Sequence, residues 1–361
     1  MNHPKHLHYI PQRGMSLVEV LVAMVISLFL LAGLIQVYLA NKSSYSFTNS
    51  VLRNQENARY AMDKMSLELR MAGFFGCAVF DRTDPAAMDA IVNNLNPSGP
   101  GYDPYFHDFL SRPLVEGTEN DGLNGSDSIT LRGASPLNVS VQAPFAVSKS
   151  ANIFVTRPNE LKAGDTVMVT NCRGADIFQV TNTTVGTNSS TTAVVHNVGT
   201  GAPGNYNPDS CKAGHCLSQA YGADATMFEL QSVTYSIAAG ESGEPALWRT
   251  SFDAQYFKVA SEELVEGIEQ IQVEYGVDTT NDGHPNQYMT ADQITADFSA
   301  PNNWDDVMSI RLMLLARSER DGIVEAPQVI NYNGAVTTAN DNRLRQVFTT
   351  TIALRNRVRD S

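Results

Sequence analysis

The first chemistry this chain suggests is a cut. In Arg13-Gly14-Met15-Ser16-Leu17-Val18-Glu19 a small, flexible glycine sits between a basic residue and an apolar run that continues to Ala40. Hydrolysis of the Gly14–Met15 bond would release a short hydrophilic leader, residues 1–14. It would leave an apolar helix at the new N-terminus, the reverse of a secretory signal, whose cleavage site follows its apolar part. From Met15 to Ala40 the single charged residue is Glu19. About 20 apolar residues suffice to cross a bilayer as a helix, so residues 15–40 are long enough. A carboxylate near one end of such a helix costs free energy in lipid and marks function more often than chance. Lys5, Arg13, His3, His6 and His8 precede the helix and an acidic chain follows it. The positive-inside rule therefore puts the leader in the cytoplasm and the body outside.

Other reactive groups are few. Cys77, Cys172, Cys211 and Cys216 all follow the helix, in what would be an oxidising compartment, and an even count predicts two disulfides. Three pairings are possible. The short spacing of Cys211 and Cys216 favours a small closed loop, which leaves Cys77 for Cys172. Cys211, His215 and Cys216 would also offer three ligands to zinc, without a finger's spacing or an obvious fourth. Asp278-Thr279-Thr280-Asn281-Asp282-Gly283 matches the first half of a calcium loop, with Asp278, Thr280 and Asp282 as candidate ligands. Its twelfth position is Met289 where a Glu is needed, and Asp-Gly is equally a hairpin turn. No Gly-x-Ser-x-Gly, His-Glu-x-x-His or phosphate loop is present, and the acids form no evident pair. The residues therefore point to no enzyme, no cofactor and no metal beyond that weak calcium candidate. The formal net charge is −13, and becomes −15 without the leader's Lys5 and Arg13, which argues against nucleic acid as a partner.

The elements that must carry these groups read as an α+β fold. Val51, Ala58, Met62, Met65, Leu69 and Ala72 make one apolar stripe, so the helix continues through an amphipathic half, residues 41–73, and ends at Gly73. From Met15 to Ala72 it would be roughly 87 Å long at 1.5 Å per residue. Residues 74–361 read as an antiparallel β-rich body packed on that half, with large loop insertions. Prolines at 85, 97, 100, 104 and 113 predict that 74–125 is an irregular surface insertion. Residues 181–225, rich in Thr, Ser, Asn and Gly, read as loop. Strands are predicted at 127–132, at 166–170 and 176–181 as a hairpin, at 227–237 and 246–250, at 271–275, at 307–317 and at 344–354, and a short helix or turn at 261–268. Arg343, Arg345, Arg355, Arg357 and Arg359 form a basic cluster, either a docking patch for an acidic neighbour or a solvated strand end.

The order of leader, Gly14, Met15 and Glu19 resembles the signal of type IV pilins and their relatives. Their usual first mature residue is Phe, and here it is Met15. Further stretches resemble the PilW family of minor pilins: Arg70-Met71-Ala72-Gly73-Phe74-Phe75-Gly76-Cys77, Asp176-Ile177-Phe178-Gln179-Val180-Thr181, Leu264-Val265-Glu266-Gly267-Ile268-Glu269, and Val347-Phe348-Thr349-Thr350-Thr351-Ile352-Ala353-Leu354-Arg355-Asn356-Arg357. The resemblance implies cleavage at Gly14–Met15 by a prepilin peptidase and N-methylation of Met15. It implies that Glu19 sets register during assembly by pairing with a neighbour's methylated amine. The implied function is a low-abundance subunit that primes type IV pilus assembly within a tip-associated minor pilin complex. Its partners would be other minor pilins, the major pilin, a PilY-type adhesin and the inner-membrane assembly platform. It would pass from the bacterial inner membrane, body periplasmic, to the pilus tip. A type II secretion pseudopilin of the GspJ kind and a pilus-borne adhesin are the alternatives.

Overall fold

The computed structural model describes residues 14–78, 85–147, 152–157, 159–185, 190–199, 201–206, 217–253, 258–295 and 303–357. One helix, α1 (Leu17–Met71), runs through 55 residues without a break. The chain divides into two units, the first ending at Leu52 and the second beginning at Arg53. The division falls inside α1, so residues 53–71 belong with the β-rich body. There the apolar stripe is sunk in a core: Ala58, Ala61, Met65 and Leu69 are fully buried, while Arg53, Glu56 and Arg59 stay exposed. Burying a side chain the size of Met65 or Leu69 contributes roughly 1.5–3 kcal/mol. Gly73 ends the helix with φ 73° and donates its amide to Arg132 O at 2.9 Å.

After α1 come α2 (Pro85–Asp89), β1 (Ile91–Asn93), α3 (Pro104–His107), β2 (Val115–Thr118), β3 (Ser128–Ser140), β4 (Asn152–Thr156), β5 (Thr166–Thr170), β6 (Ala175–Gln179), β7 (Asn182–Val185) and β8 (Thr191–Val195). The second half follows with β9 (Thr226–Ala239), β10 (Pro245–Asp253), β11 (Lys258–Glu266), β12 (Ile268–Val277), β13 (Gln287–Met289), β14 (Val307–Arg317), β15 (Val329–Tyr332), β16 (Ala335–Thr338) and β17 (Arg345–Ala353). One sheet runs β1-β6-β5-β9-β10-β11, with β3 on β9 and β2 on β3; a second runs β13-β12-β14-β17. Pairing is antiparallel except between β1 and β6. The helix stripe shares a core with both sheets, including Val233, Tyr235, Ile271, Tyr275, Ile310, Leu312, Leu314 and Ile352. The fold is α+β.

Three sequence expectations are corrected. Residues 74–125 are not a surface insertion: they supply β1 and β2, and Phe75, Ile91, Leu95, Phe109 and Leu114 form a core of their own with Met168, Ile177 and Leu230. Prolines there shorten the elements without excluding them from the interior. Residues 181–225 are not all loop, because β7 and β8 join β4 in a three-stranded sheet that buries Ala193 and Val194. Residues 261–268 are not helical. Ala260 to Glu266 pair with β10, and the ladder overrides the helix preference of Glu262, Glu263 and Leu264.

The expected basic cluster is also divided. Arg317 reaches Glu244 and Glu269, Arg345 reaches Glu269 (2.6 Å) and Asp341, and Arg343 reaches Asp341 (3.9 Å) and Glu244 (3.0 Å). These six side chains close a ring of alternating charge. Arg355 is exposed; the side chain of Arg357, and Arg359, lie outside the described residues. Beside the ring, Asn54 donates to Leu344 O at 3.2 Å and Asn57 to Glu266 O at 3.0 Å, which ties α1 to the same corner. The Arg345 guanidinium holds the Asp341 carboxyl at about 2, below its ordinary 3.8, against the opposing effect of burial. Burial pushes Glu244 up, but Arg317 and Arg343 outweigh it and lower its pKa. Both carboxylates are stronger acids folded than unfolded, so their stabilisation is full above the ordinary carboxylate range and fades as pH falls from about 4 toward 2. The urea midpoint is expected to drop between about pH 6 and pH 3, and to drop less in Asp341→Asn. Equal drops in both proteins would remove the ring from the account.

Candidate functional site

The backbone from Gly14 to Ser16 is outside the helix, and Gly14 has open space on every side where a Cβ would stand. Met15 is 72% exposed. The Gly14–Met15 bond is thus presented on accessible chain outside the helix, immediately before α1. Ser16 begins that element. It accepts the Glu19 amide on its Oγ at 3.2 Å and on its carbonyl at 3.1 Å, and its carbonyl also takes the Val20 amide at 3.2 Å. An N-cap serine of this kind contributes on the order of 1 kcal/mol to a helix. Sequence reading missed Ser16, although Ser-x-x-Glu ahead of an apolar run is a known start signal.

Glu19 lies in the first turn of α1, where its charge complements the positive end of the helix. It is exposed and makes no ion pair among the described residues. The helix around it is apolar on all sides and exposed throughout: Leu17, Val18, Leu21, Met24, Leu28, Phe29 and Leu31 all face outward. A helix apolar all round is stable in lipid or packed among other helices, not in water. Among the described residues it is the one helix long and apolar enough to cross a membrane. A cut at Gly14–Met15 would put a free amine four residues from Glu19, on a surface otherwise without charge.

The cysteines separate into two groups. Cys77 is bonded to Cys172, with Cα atoms 5.0 Å apart and a sequence separation of 95. Cys211 and Cys216, with His215, lie outside the described residues. Cys172 sits at the β5–β6 turn with φ 66°, so the left-handed turn position falls on the cysteine itself, between Asn171 and Gly174. Gly174 is needed beside it, since a Cβ there would meet Gln219 Nε2 at 2.4 Å and Ala90 O at 2.9 Å.

The calcium candidate closes on itself. Asp278 Oδ1 accepts the amides of Thr280 and Asp282 at 3.2 Å, and Oδ2 accepts that of Gly283 at 2.7 Å. Burial would raise the Asp278 pKa, but these backbone donors outweigh it and lower the value. Its oxygens serve the turn between β12 and β13. No group of three or more His, Cys, Asp or Glu among the described residues is arranged to hold a metal ion.

Two family models match the chain. The model described as type IV pilus-assembly protein W (PilW) matches residues 234–356, which run from β9 to just past β17. The model described as the prokaryotic N-terminal methylation motif matches residues 11–35, which contain Gly14, Met15, Ser16 and Glu19. A comparison with curated proteins finds no match. The two models fall on the capped apolar helix and on the second half of the β-rich body.

Proposed function

We propose that this chain, a PilW-family minor pilin related to type IV pili, helps to prime pilus assembly and takes its place in a minor pilin complex at the filament tip. The observation that carries the reading is the capped, exposed apolar first part of α1, up to Ala40, whose one charge is Glu19. A prepilin peptidase cuts Gly14–Met15 and the new Met15 amine is methylated. The helix holds the subunit in the inner membrane with the body in the periplasm, until it moves into the filament. Other minor pilins, the major pilin, the assembly platform and a PilY-type adhesin are its partners. Its role is structural, not catalytic.

The physical driver is the unpaired carboxylate. A charge kept in an apolar setting without a partner costs several kcal/mol, so Glu19 favours any arrangement that sets a cationic amine beside it. A neighbouring pilin's methylated N-terminus is such a group. Docking in register is then distinguished from docking out of register by one ion pair, while the apolar contacts are alike in both.

Mass spectrometry of sheared filaments tests the reading. A trace component beginning at methylated Met15 is expected, and a chain still beginning at Met1 would overturn it. In Glu19→Ala the leader is still removed, but recovery in filaments falls by about tenfold or more, the equivalent of roughly 1.4 kcal/mol. Normal recovery of the variant would remove Glu19 from the mechanism.

A further inference from the structure

The sheet β13-β12-β14-β17 ends on β17, which pairs with β14 alone among the described residues. Just past it, Leu354 donates its amide to Met308 O at 2.9 Å. In an antiparallel ladder, alternate residues turn both backbone groups to the same neighbour. Ile352, Thr350, Phe348 and Gln346 therefore face β14, and Ala353, Thr351, Thr349 and Val347 face away. The amide of Arg345, at the head of that outward row, is taken by Gln328 Oε1 at 2.6 Å. Beyond it, no described residue takes the outward amides of Val347, Thr349, Thr351 or Ala353.

Proteins protect such edges with charge, proline, a bulge or a covering loop. β17 has none of the first three from Gln346 to Ala353, and its register with β14 is unbroken. Val347, Thr349, Thr351 and Ala353 are exposed. The edge strand β11 of the larger sheet is treated differently. β11 carries Glu262, Glu263 and Glu266, and its ladder with β10 is interrupted at Leu247/Trp248. One edge is guarded and the other is left straight, neutral and β-branched.

We propose that β17 is a strand-addition site, at which an extended, uncharged segment of a different protein chain, about four or five residues long, pairs with Val347 to Ala353. Main-chain hydrogen bonds to the outward row supply the affinity, and the exposed threonines select β-branched neighbours. A second copy of this chain is disfavoured as the guest, because each copy carries a formal charge of −13. Arg355, exposed just past the row and in no ion pair among the described residues, favours a guest segment flanked by a carboxylate. The proposal does not depend on the leader or on methylation.

The test is a photo-crosslinking amino acid (p-benzoylphenylalanine) placed at Thr349 in the full chain in its native cells, with the same group at exposed Val336 on β16 as control. The crosslinked residue in the partner is mapped by mass spectrometry. Position 349 should give a discrete product with a different chain, joined within an extended neutral segment, and position 336 should not. Thr351→Pro, which deletes one outward amide and no bond to β14, should reduce the product at least tenfold at an unchanged melting midpoint. Thr351→Lys, which leaves the backbone whole, should do the same should the proline variant not fold. A product with a second copy, equal products at 349 and 336, no product at 349, or a product indifferent to both substitutions would overturn the proposal.

Discussion

Replacing both Cys77 and Cys172 by Ala is expected to lower the stability of the body by about 4 kcal/mol. The bond closes a loop of sequence separation 95. Constraining a loop of that size in the unfolded chain contributes on the order of 4–5 kcal/mol, and the loss of a native disulfide commonly costs 2–5 kcal/mol. The bond also pins Gly76-Cys77, just beyond α1, to the β5–β6 turn, so that Phe75 stays in the core it shares with Met168 and Ile177. Urea unfolding monitored by fluorescence would measure the difference. A change under about 1 kcal/mol would mean that the hydrogen bonds around Gly73 and Phe74 already fix this junction.

The second expected result concerns Arg132 on β3. Its side chain is wholly buried, and its guanidinium donates to Tyr105 O (3.0 and 3.2 Å), Pro113 O (2.5 Å) and Glu116 Oε2 (3.1 Å). Burial lowers its pKa, and the nearby Glu116 carboxylate counters that effect. Arg132→Ala would leave two carbonyls and a carboxylate with a lost donor inside the protein, at a cost of about 3–5 kcal/mol. Arg132→Lys would recover only part of this, since an ammonium cannot span the acceptors as the planar fork does. Limited proteolysis should then cut first within residues 104–116. Cutting elsewhere, or wild-type resistance in Arg132→Ala, would show that α3 and its flanks are held by other contacts.

Neither the structural role of Arg132 nor the ring around Arg345 was legible in the sequence. A buried arginine is defined by acceptors far away in the chain, and its own neighbours in sequence say nothing of them. What was legible had a period. The stripe from Ala58 to Leu69, the alternation of Ile271, Val273 and Tyr275, and the inward row Ile310, Leu312 and Leu314 each bury one face of a long element. What was misread was short or depended on a distant partner. β1 has three residues and exists because β6 lies beside it, and β11 is a strand because β10 is. At the candidate site, Gly14, Met15 and Glu19 were readable from their order relative to the apolar run. Ser16 was passed over because a serine is unremarkable until its hydroxyl is seen on the Glu19 amide.

The disulfide has a mechanical consequence. In the filament role proposed above, the chain would be pulled through its N-terminal helix. Tension leaving α1 at Met71 crosses Gly73 to Gly76 and arrives at Cys77, where a covalent shunt carries it straight to the β5–β6 turn. The loop bridged by Cys77 and Cys172 lies in parallel with that shunt and shares the load only through hydrogen bonds such as those from Gly73 N to Arg132 O and from Ala134 N to Phe74 O. Fully extended, 95 residues would span roughly 330 Å at about 3.5 Å each. That slack cannot be released while the bond holds, so under force the loop from Cys77 to Cys172 adds no length to the chain.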